Sequence, residues 1–417
     1  MIKRFILTGF FIALLTIRVS AEVNTCVSCH QELDEERLKA PVAGMALDVH
    51  ATRRGLSCVD CHGGDATKED IEESMDPKKG YVGVPNRGDI PKFCGRCHED
   101  PDYMRKYNPG LRVDQLTLYW TSVHGHKLRA GDHKVATCID CHSHHGILPS
   151  SDTRSPVYAT KVPETCARCH ANKEYMAEYG IPTDQYENYK QSVHGISLLV
   201  RGGRGAPACN NCHGNHGAAP PGVSSVGNVC GQCHPVNADM LRQSPHSKIF
   251  EEKGIFACES CHGHHKISQP AHEMLGTGEG SVCVKCHEPD SQGYVTATAM
   301  YSIIKQLQQK HDEAAALLDR AERAGMEVRE AKFLNHEVEN YITTARTTQH
   351  AASLAKLQDV VSEGDSLVAV TTKEGESALA ELGFRRKGLQ ISLVCIFVLG
   401  LSLFFKIREV DRKHGLR

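Results

Sequence analysis

Eighteen of the 19 cysteines in this 417-residue chain fall into nine pairs, each with two residues between its members. A histidine directly follows every pair, so the motif CxxCH occurs nine times. Two thiols at this spacing reach the two vinyl groups on one edge of a porphyrin, and the next imidazole reaches its iron. The motifs therefore predict nine covalently attached c-type haems. The attaching residues are Cys26, Cys29, Cys58, Cys61, Cys94, Cys97, Cys138, Cys141, Cys166, Cys169, Cys209, Cys212, Cys230, Cys233, Cys258, Cys261, Cys283 and Cys286. The proximal iron ligands are His30, His62, His98, His142, His170, His213, His234, His262 and His287.

Zinc ribbons and disulfides are the competing explanations for paired cysteines. Zinc sites also use CxxC, and an exported protein could oxidise such thiols to disulfides. Neither requires a histidine directly after the second cysteine. With 25 histidines in 417 residues, nine chance occurrences out of nine would be on the order of one in 10^11. Cys395, the remaining cysteine, lies in an apolar segment and is interpreted as a plain apolar residue rather than a ligand or a lipid site.

The motifs are arranged in repeats of two. The segments CGRCHEDPDYMRKY, YWTSVHG and CIDCHSHHG, from Cys94 onwards, correspond to CARCHANKEYMAEY, YKQSVHG and CNNCHGNHG, from Cys166 onwards. Weaker copies begin at Cys26 and Cys230, and Cys283 begins a copy that breaks off. We number these copies repeats one to five in chain order.

Seven histidines outside the motifs recur in register with the repeats. One lies between the two motifs of each full repeat, and another follows the second proximal histidine by three residues in repeats two to four. A neutral imidazole on each face of the iron makes a closed centre suited to electron transfer, so we expect distal ligands here. Surface or propionate-binding histidines are the alternative. The seven are His50, His124, His145, His194, His216, His246 and His265.

Repeat one departs from this pattern, because Asp65 stands where repeats two to four have the following histidine. One haem of that repeat must therefore take its second ligand from elsewhere. Five further histidines and the thioether of Met45 are weaker candidates for such gaps. These tentative histidines are His126, His133, His144, His264 and His272.

The motif region is sparing in apolar side chains. It spans 262 residues from Cys26 to His287 for nine motifs, and only 6% of the chain is aromatic. The connecting segments are rich in Gly, Pro and charge, as in residues 202–207. We therefore expect a mainly α fold with extensive loops over residues 22–290, organised by close-packed haems and unable to fold without them.

The region after Pro289 has no motif, and its apolar residues follow a helical period. Two stripes with spacings of three and four predict a helical hairpin, bundle or coiled-coil seam over residues 300–384, which also allows an oligomer. A turn is expected near Ala324 and Gly325, and a third helix, weakened by Gly375, from Leu367 onwards. The first stripe is Ile304, Leu307, His311, Ala314, Leu318 and Ala321, and the second is Leu334, Val338, Tyr341, Ala345 and Ala352. His311 and His350 are tentative ligands of the ninth haem, with core or solvated histidines as the alternative.

Both ends of the chain carry apolar segments. Residues 1–21 combine a basic start, an apolar run and small residues before the junction, which predicts a secretory signal peptide, with an uncleaved anchor as the alternative. The apolar residues 389–405 have basic flanks and predict a single transmembrane helix with a cytoplasmic tail, residues 406–417, rather than a buried helix. We therefore expect an inner-membrane protein with its haems in the periplasm. A net charge of -2 argues against a nucleic-acid partner.

The CxxCH motifs, the SVHG histidines and the CHxxH extensions resemble those of multihaem c-type cytochromes of bacterial respiratory chains. They are most similar to the tetrahaem and octahaem cytochromes of the hydroxylamine oxidoreductase lineage, over residues 26–287 and more loosely over 300–384. The resemblance implies haem attachment at all nine motifs. Membrane-bound relatives pass electrons from quinol to periplasmic partners, although their anchor is amino-terminal. The lineage's nitrite reductases commonly use a lysine-ended motif, and no CxxCK occurs in this chain.

Two functions follow from these features. The first is an electron relay between a membrane quinol-oxidising complex and periplasmic redox proteins, with no catalytic residue. The second is an oxidoreductase acting on a small nitrogen or sulfur compound at one haem with an open sixth position. Asp65 and the unassigned distal ligands of the first and last haems keep this second function open.

Overall fold

The computed structural model describes residues 24–217, 226–413 and 415. Within these ranges the regular structure is entirely helical, with no strand, which confirms the expected mainly α fold. The predicted signal peptide lies outside the described residues. The described chain forms two compact units, one made of residues 24–186 and 197–217 and the other of residues 187–196 and 226–415.

Short helices carry repeats one to three. The glycines, prolines and polar residues between the motifs stop each helix after a few turns, so loops and single turns connect them. The helices are α1 (Thr25–Glu32), α2 (Glu36–Met45), α3 (Val49–Arg54), α4 (Cys58–His62), α5 (Ile71–Ser74), α6 (Ile90–His98), α7 (Pro101–Tyr107), α8 (Gln115–Tyr119), α9 (Val123–Arg129), α10 (Cys138–His142), α11 (Val162–His170), α12 (Lys173–Met176), α13 (Gln185–Lys190), α14 (Val193–Gly195) and α15 (Cys209–His213).

Side chains alone build little of the interior of the first compact unit. One small apolar cluster joins Tyr119, Leu128 and Val135, with Trp120 packed against it. Other buried apolar residues are scattered, as at Ile90 in the first turn of α6. Such a sparse side-chain core is what a fold organised around bound cofactors requires.

Repeat four and three long helices make up most of the second compact unit. The repeat contributes α16 (Cys230–Cys233), α17 (Pro235–Arg242), α18 (Pro245–Glu252) and α19 (Ala257–His262). The long helices are α20 (Gln292–Arg323), α21 (Arg329–Thr348) and α22 (Leu354–Lys413), and we call their packed portion the bundle. Every residue of the first predicted stripe is buried on α20, and Gly325 forms the expected turn with a φ of 83°.

The buried face of α21 differs from the predicted second stripe. Val338 and Ala345 are buried as expected, but Leu334 and Tyr341 lie at the edge of the bundle and are half-buried. Asn335, Ile342 and Thr348 are buried on this face instead. The buried positions of α21 are Ala331, Asn335, Val338, Ile342, Ala345 and Thr348. The prediction weighted apolar character, whereas a buried hydrogen bond from Thr371 to Asn335, 3.2 Å long, admits a polar side chain here.

Helix α22 begins earlier than predicted and runs without a break for 60 residues. The helix is unbroken at Gly375, which packs against α20, where an added Cβ would be 2.9 Å from Leu317 Cδ2. The carboxyl-terminal half of α22 contains an apolar window of mean hydropathy 2.3, none of it buried within the protein. This exposed apolar helix fits a membrane anchor.

Candidate haem-binding sites

Capping side chains position the second motif of repeats one, two and three. In repeat one, the Ser57 amide donates to Asp60 Oδ2 at 2.6 Å, and in repeat two the Thr137 amide donates to Asp140 Oδ2 at 2.6 Å. These contacts start a single helical turn that carries both cysteines and the proximal histidine on neighbouring faces. The residue after the histidine adopts a left-handed conformation and turns the chain away. These residues are Gly63 (φ 68°), Ser143 (φ 70°), Gly214 (φ 77°) and Gly263 (φ 73°).

The SVHG segment is a helix start that presents its histidine. Ser122 Oγ accepts from the Gly125 amide at 3.0 Å and donates to the Tyr119 carbonyl at 2.6 Å. A Cβ on Gly125 would lie 2.1 Å from that carbonyl oxygen, so only glycine fits. His124 is thereby held in the first turn of α9. The same contacts recur in repeat three at Ser192, Gly195 and Tyr189.

A buried aspartate orients the corresponding histidine of repeat one. Asp48 Oδ1 accepts from the amide of His50 at 2.9 Å and lies 2.8 Å from its ring Nδ1. Asp48 Oδ2 accepts from the Ile147 amide at 2.8 Å. Burial opposes ionisation of this carboxyl, but the hydrogen bonds from His50 and Ile147 outweigh it and keep the pKa of Asp48 below its usual value. The carboxylate therefore holds Nδ1 and leaves Nε2 of His50 for a metal.

Among the described residues, the structure brings seven motif histidines opposite a second histidine. Their ring centres lie 5.9–6.3 Å apart. Six of the seven predicted distal histidines take part, together with His350. The pairs are His50–His98 (5.9 Å), His62–His145 (6.1 Å), His124–His170 (6.1 Å), His142–His216 (6.2 Å), His194–His234 (6.3 Å), His246–His287 (5.9 Å) and His262–His350 (6.2 Å).

These separations fit one metal ion between two imidazoles. A metal–imidazole bond is about 2 Å, and with each ring centre roughly 1 Å behind its nitrogen the two centres come to about 6 Å apart. Direct contact between two packed rings would allow shorter distances, as in the 4.3 Å stack of His272 on Tyr301. The residues present therefore fit the iron of a haem attached to the adjacent cysteines.

The pairing crosses from one repeat to the next. The histidine between the motifs of a repeat faces the first proximal histidine of the following repeat, as His124 faces His170. The histidine after a second motif faces the second proximal histidine of the preceding repeat, as His216 faces His142. In repeat one, Asp65 stands at the position that His216 holds in repeat three. Asp65 instead pairs with Lys79 Nζ at 2.9 Å.

Among the described residues, this offset between repeats supplies no ring partner for the proximal histidine His30. Its Nδ1 lies 2.8 Å from the Leu38 carbonyl oxygen, which leaves Nε2 for iron. A partner for it would come from a repeat before repeat one. Among residues 24–217 and 226–413 no imidazole forms a ring pair with His30.

Burial lowers the pKa of several of the paired imidazoles and so favours their neutral form. It lowers the pKa of His142 to about 4, with further contributions from His216 and His98. Burial likewise lowers the pKa of His98, followed by the effect of His50. Neutral imidazole is the form that binds a metal, so these sites need not lose a proton before ligation at neutral pH.

Cysteines of successive motifs lie side by side, in two alternating arrangements. Within a repeat, the first cysteines of both motifs are close together, as Cys94 and Cys138 are, each shifting the pKa of the other. Between repeats, the second cysteine of one motif is near the next motif, as Cys61 is near Cys97. The first arrangement recurs at Cys26 with Cys58, Cys166 with Cys209, and Cys230 with Cys258, and the second at Cys141 with Cys166, and Cys261 with Cys283.

Two arginines inside the motifs link successive motifs, and the sequence analysis did not single them out. Arg96, in CGRCH, donates to the Cys61 carbonyl at 2.6 Å. Arg168, in CARCH, donates to the Asp140 carbonyl at 2.5 Å. Their equivalent positions in repeats two and three were the available signal. Asp48 was missed because serine replaces it in the later repeats.

The tentative histidines are mostly not opposite a motif histidine. His144 and His264 lie edge-on to their neighbours His145 and His265, with ring centres 5.0 and 4.9 Å apart. His272 stacks on Tyr301 and its Nε2 lies 3.1 Å from the Tyr301 carbonyl oxygen. The remaining candidates are His126, exposed on α9, His133, beside Gly88, and Met45, which ends α2.

The expectations for His311 and His350 need correction. His311 is buried in the bundle, and its ring nitrogens lie 3.0 Å from Asp312 and 3.6 Å from Glu339, so it is a core histidine. His350 faces His262 of the eighth motif rather than the ninth. The ninth motif histidine, His287, faces His246 instead.

Known proteins support this interpretation of the motifs. Residues 49–171 match the cytochrome c3 family. The chain is 22% identical over 208 residues to the multiheme cytochrome MtrA of Shewanella baltica (strain OS185), which covers 49% of this chain and 49% of the relative. The chain thus spans about half the length of that curated relative. No solved structure matches the chain. The two matches support a multihaem c-type cytochrome with covalently bound haem c.

Proposed function

We propose that the chain binds nine haems, one at each CxxCH motif, and relays electrons between a membrane quinol-oxidising complex and periplasmic acceptors. Bound haem supplies one-electron redox chemistry. The observation that carries the proposal is the set of histidine pairs with ring centres 5.9–6.3 Å apart. An imidazole on each face leaves no coordination position for a substrate, so these pairs favour electron transfer over catalysis.

The proposed distal ligands follow from these pairs. They are His50, His124, His145, His194, His216 and His246, each opposite a motif histidine. His265 is proposed with them because it occupies the same position in repeat four as His145 and His216 do in theirs. The likeness to the hydroxylamine oxidoreductase lineage belongs to this proposal and rests on the motifs alone.

Adjacent cysteines support a relay along the chain. Since each haem is attached at its cysteines, neighbouring thiols bring the edges of successive macrocycles together. The thiol contacts Cys94–Cys138 and Cys166–Cys209 alternate with the approach of Cys141 to Cys166. Motifs one to six in the first compact unit and motifs seven to nine in the second can thereby each form a row of closely spaced redox centres.

The exposed apolar part of α22 supports attachment to a membrane. Residues 389–405 carry large apolar side chains that are exposed, including Phe397, which is 67% exposed. Arg385, Arg386 and Lys387 precede this stretch and Lys406 follows it. We propose that it spans the inner membrane, with residues 406–417 in the cytoplasm and the haem motifs in the periplasm, where haem attachment takes place.

Counting haems by mass tests the proposal. The mature chain should carry nine haem additions, and Cys258→Ala with Cys261→Ala should remove one. Cys395→Ala is the matched control, because this cysteine lies outside the motifs and should change nothing. Oxidised protein should show low-spin ferric signals in electron paramagnetic resonance. Bound zinc, or a mass without haem, would disprove the proposal.

A second candidate function rests on His30, which lacks a ring partner among the described residues. An iron held there on one side alone could bind a small nitrogen or sulfur compound, which favours an oxidoreductase. This function predicts one high-spin ferric signal that shifts with nitrite or cyanide. Met45→Leu should leave that signal unchanged, whereas a purely low-spin spectrum would eliminate the open site.

A further inference from the structure

We infer that His350 is the second axial ligand of the iron held by His262, so that the bundle supplies a ligand to the redox chain. This inference rests on the proposed attachment of haem at Cys258 and Cys261. The two rings have centres 6.2 Å apart and planes 27° apart. In the same compact unit, His194 and His234 have centres 6.3 Å apart and planes 34° apart. The pair from the bundle thus has the geometry of a pair built by the repeats.

The ring of His350 is held with one nitrogen directed away from the backbone. A single 3-10 turn, Gln349–Ala351, follows α21 and places the histidine there. His350 Nδ1 lies 2.9 Å from the Thr347 carbonyl oxygen. A carbonyl oxygen only accepts hydrogen bonds, so Nδ1 carries the proton and Nε2 keeps its lone pair for a metal. Asp48 and the Leu38 carbonyl leave Nε2 free in the same way at His50 and His30.

Contacts beside the pair fasten the bundle to repeat four. Asn237 Nδ2 on α17 lies 3.4 Å from His350 Nδ1, which is a packing contact because both atoms are donors when Nδ1 carries the proton. At the other end of α17, Gln243 Oε1 accepts from Lys356 Nζ of α22 at 2.7 Å. Ala351 is buried, and Ala352 then reverses the chain in a left-handed conformation with a φ of 47°. The position of His350 is therefore set by two helices of the bundle packed on the repeat.

The repeat pattern explains why this ligand comes from outside the repeats. The second motif of a repeat takes its partner from the histidine after the second motif of the next repeat, as His142 takes His216. Repeat five breaks off after its first motif, so it has no histidine that follows a second motif. The repeats therefore supply no such partner for His262, and His350 takes that place.

Spectroscopy of the full-length protein tests this assignment. His350→Ala should convert one low-spin centre into a high-spin ferric centre, and added imidazole should reverse the change. His336→Ala is the matched control, because His336 is exposed on α21, the helix before the turn that holds His350, and pairs with Glu339 at 2.9 Å. It should leave every centre low-spin. An unchanged spectrum in His350→Ala would overturn the assignment.

A second variant covers the case in which His350→Ala fails to fold. His350→Met keeps an axial ligand but replaces imidazole by a thioether, which raises the reduction potential of a haem. One centre should shift upward in a redox titration with no high-spin signal, and no shift would overturn the assignment. Haem counting separates the failures. Nine haems with an unaffected His350→Ala spectrum would disprove this inference alone, while missing haems would disprove the proposed function.

Discussion

The repeats and the bundle differ in what fills their interiors. In the bundle, large apolar side chains such as Ile304, Leu307 and Leu357 are fully buried and pack against one another. In the described part of the first compact unit, the one apolar cluster contains three buried residues. In that unit, paired histidines and neighbouring motif cysteines are found where the bundle has packed apolar side chains. The bundle can therefore fold on side-chain packing, whereas the repeats depend on the haems they attach.

The largest expected effect is the loss of the repeats when haem is withheld. Chain produced in a host without cytochrome c maturation should be cleaved throughout residues 24–288 by a protease. A detergent-protected helical fragment beginning near Gln292 should survive, because the core of the bundle contains no motif. Far-ultraviolet circular dichroism and mass spectrometry of the fragments would measure this. Repeats that resist the protease without haem would show that their fold does not depend on haem, contrary to the proposed difference from the bundle.

Truncating a core side chain of the bundle should destabilise the bundle and leave the haem sites of motifs one to six unaffected. Leu307→Ala removes a side chain that is 0% exposed and should lower the free energy of unfolding by about 2–5 kcal/mol. The low-spin haem spectrum of motifs one to six should not change. Val370→Ala, at a side chain 47% exposed on α22, is the control and should cost less than about 0.5 kcal/mol. A change in the haem signals of motifs one to six along with Leu307→Ala would contradict separate interiors.

A smaller effect is expected at the SVHG glycine. Gly125→Ala places a Cβ where the Tyr119 carbonyl oxygen is 2.1 Å away, so the start of α9 must shift and carry His124 with it. We expect a loss of about 1–3 kcal/mol and a perturbed signal from the centre held by His170. Gly205→Ala has nothing within 4 Å and should be silent. Equal behaviour of the two variants in thermal melts and paramagnetic resonance would count against the SVHG role.

The smallest effect is expected from the hydrogen bond behind His50. Asp48→Asn removes the negative charge that faces the ring nitrogen at 2.8 Å, so the imidazole becomes a weaker electron donor. The reduction potential of the centre held by His98 should rise while its low-spin signal remains. Asp365→Asn, which breaks only a surface pair with Lys310, is the control in the same redox titration. A titration in which Asp48→Asn matches this control would argue against the orienting role of Asp48.

Local features of the chain were predictable, and long-range partners were not. The first stripe on α20 follows from periodicity alone, since each buried position is three or four residues from the last. The SVHG histidines were recognisable because the motif needs a particular cap and glycine. The offset between repeats was not, because His216 is nearest in sequence to His213 of its own motif. Only the folded chain brings His216 to His142.

The remaining errors have similar physical causes. Leu334 and Tyr341 were assigned to the buried face by apolar character, although Asn335 is buried there with a hydrogen-bond partner. Gly375 was interpreted by its low helix propensity, whereas close packing against α20 favours the smallest residue. The target of His350 depends on how the bundle packs against α17, which no spacing in the sequence encodes.

In the proposed membrane attachment, the unbroken course of α22 determines how far the bundle stands from the lipid surface. Ala378 is the last buried residue on this helix, and Leu389 begins the apolar stretch eleven positions later. At 1.5 Å per residue this is a rod of about 16 Å, with basic residues suited to phosphate head groups. A flexible linker would allow the distance between the bundle and the lipid surface to vary. A continuous helix fixes that distance, and with it the distance from the membrane at which another protein can dock.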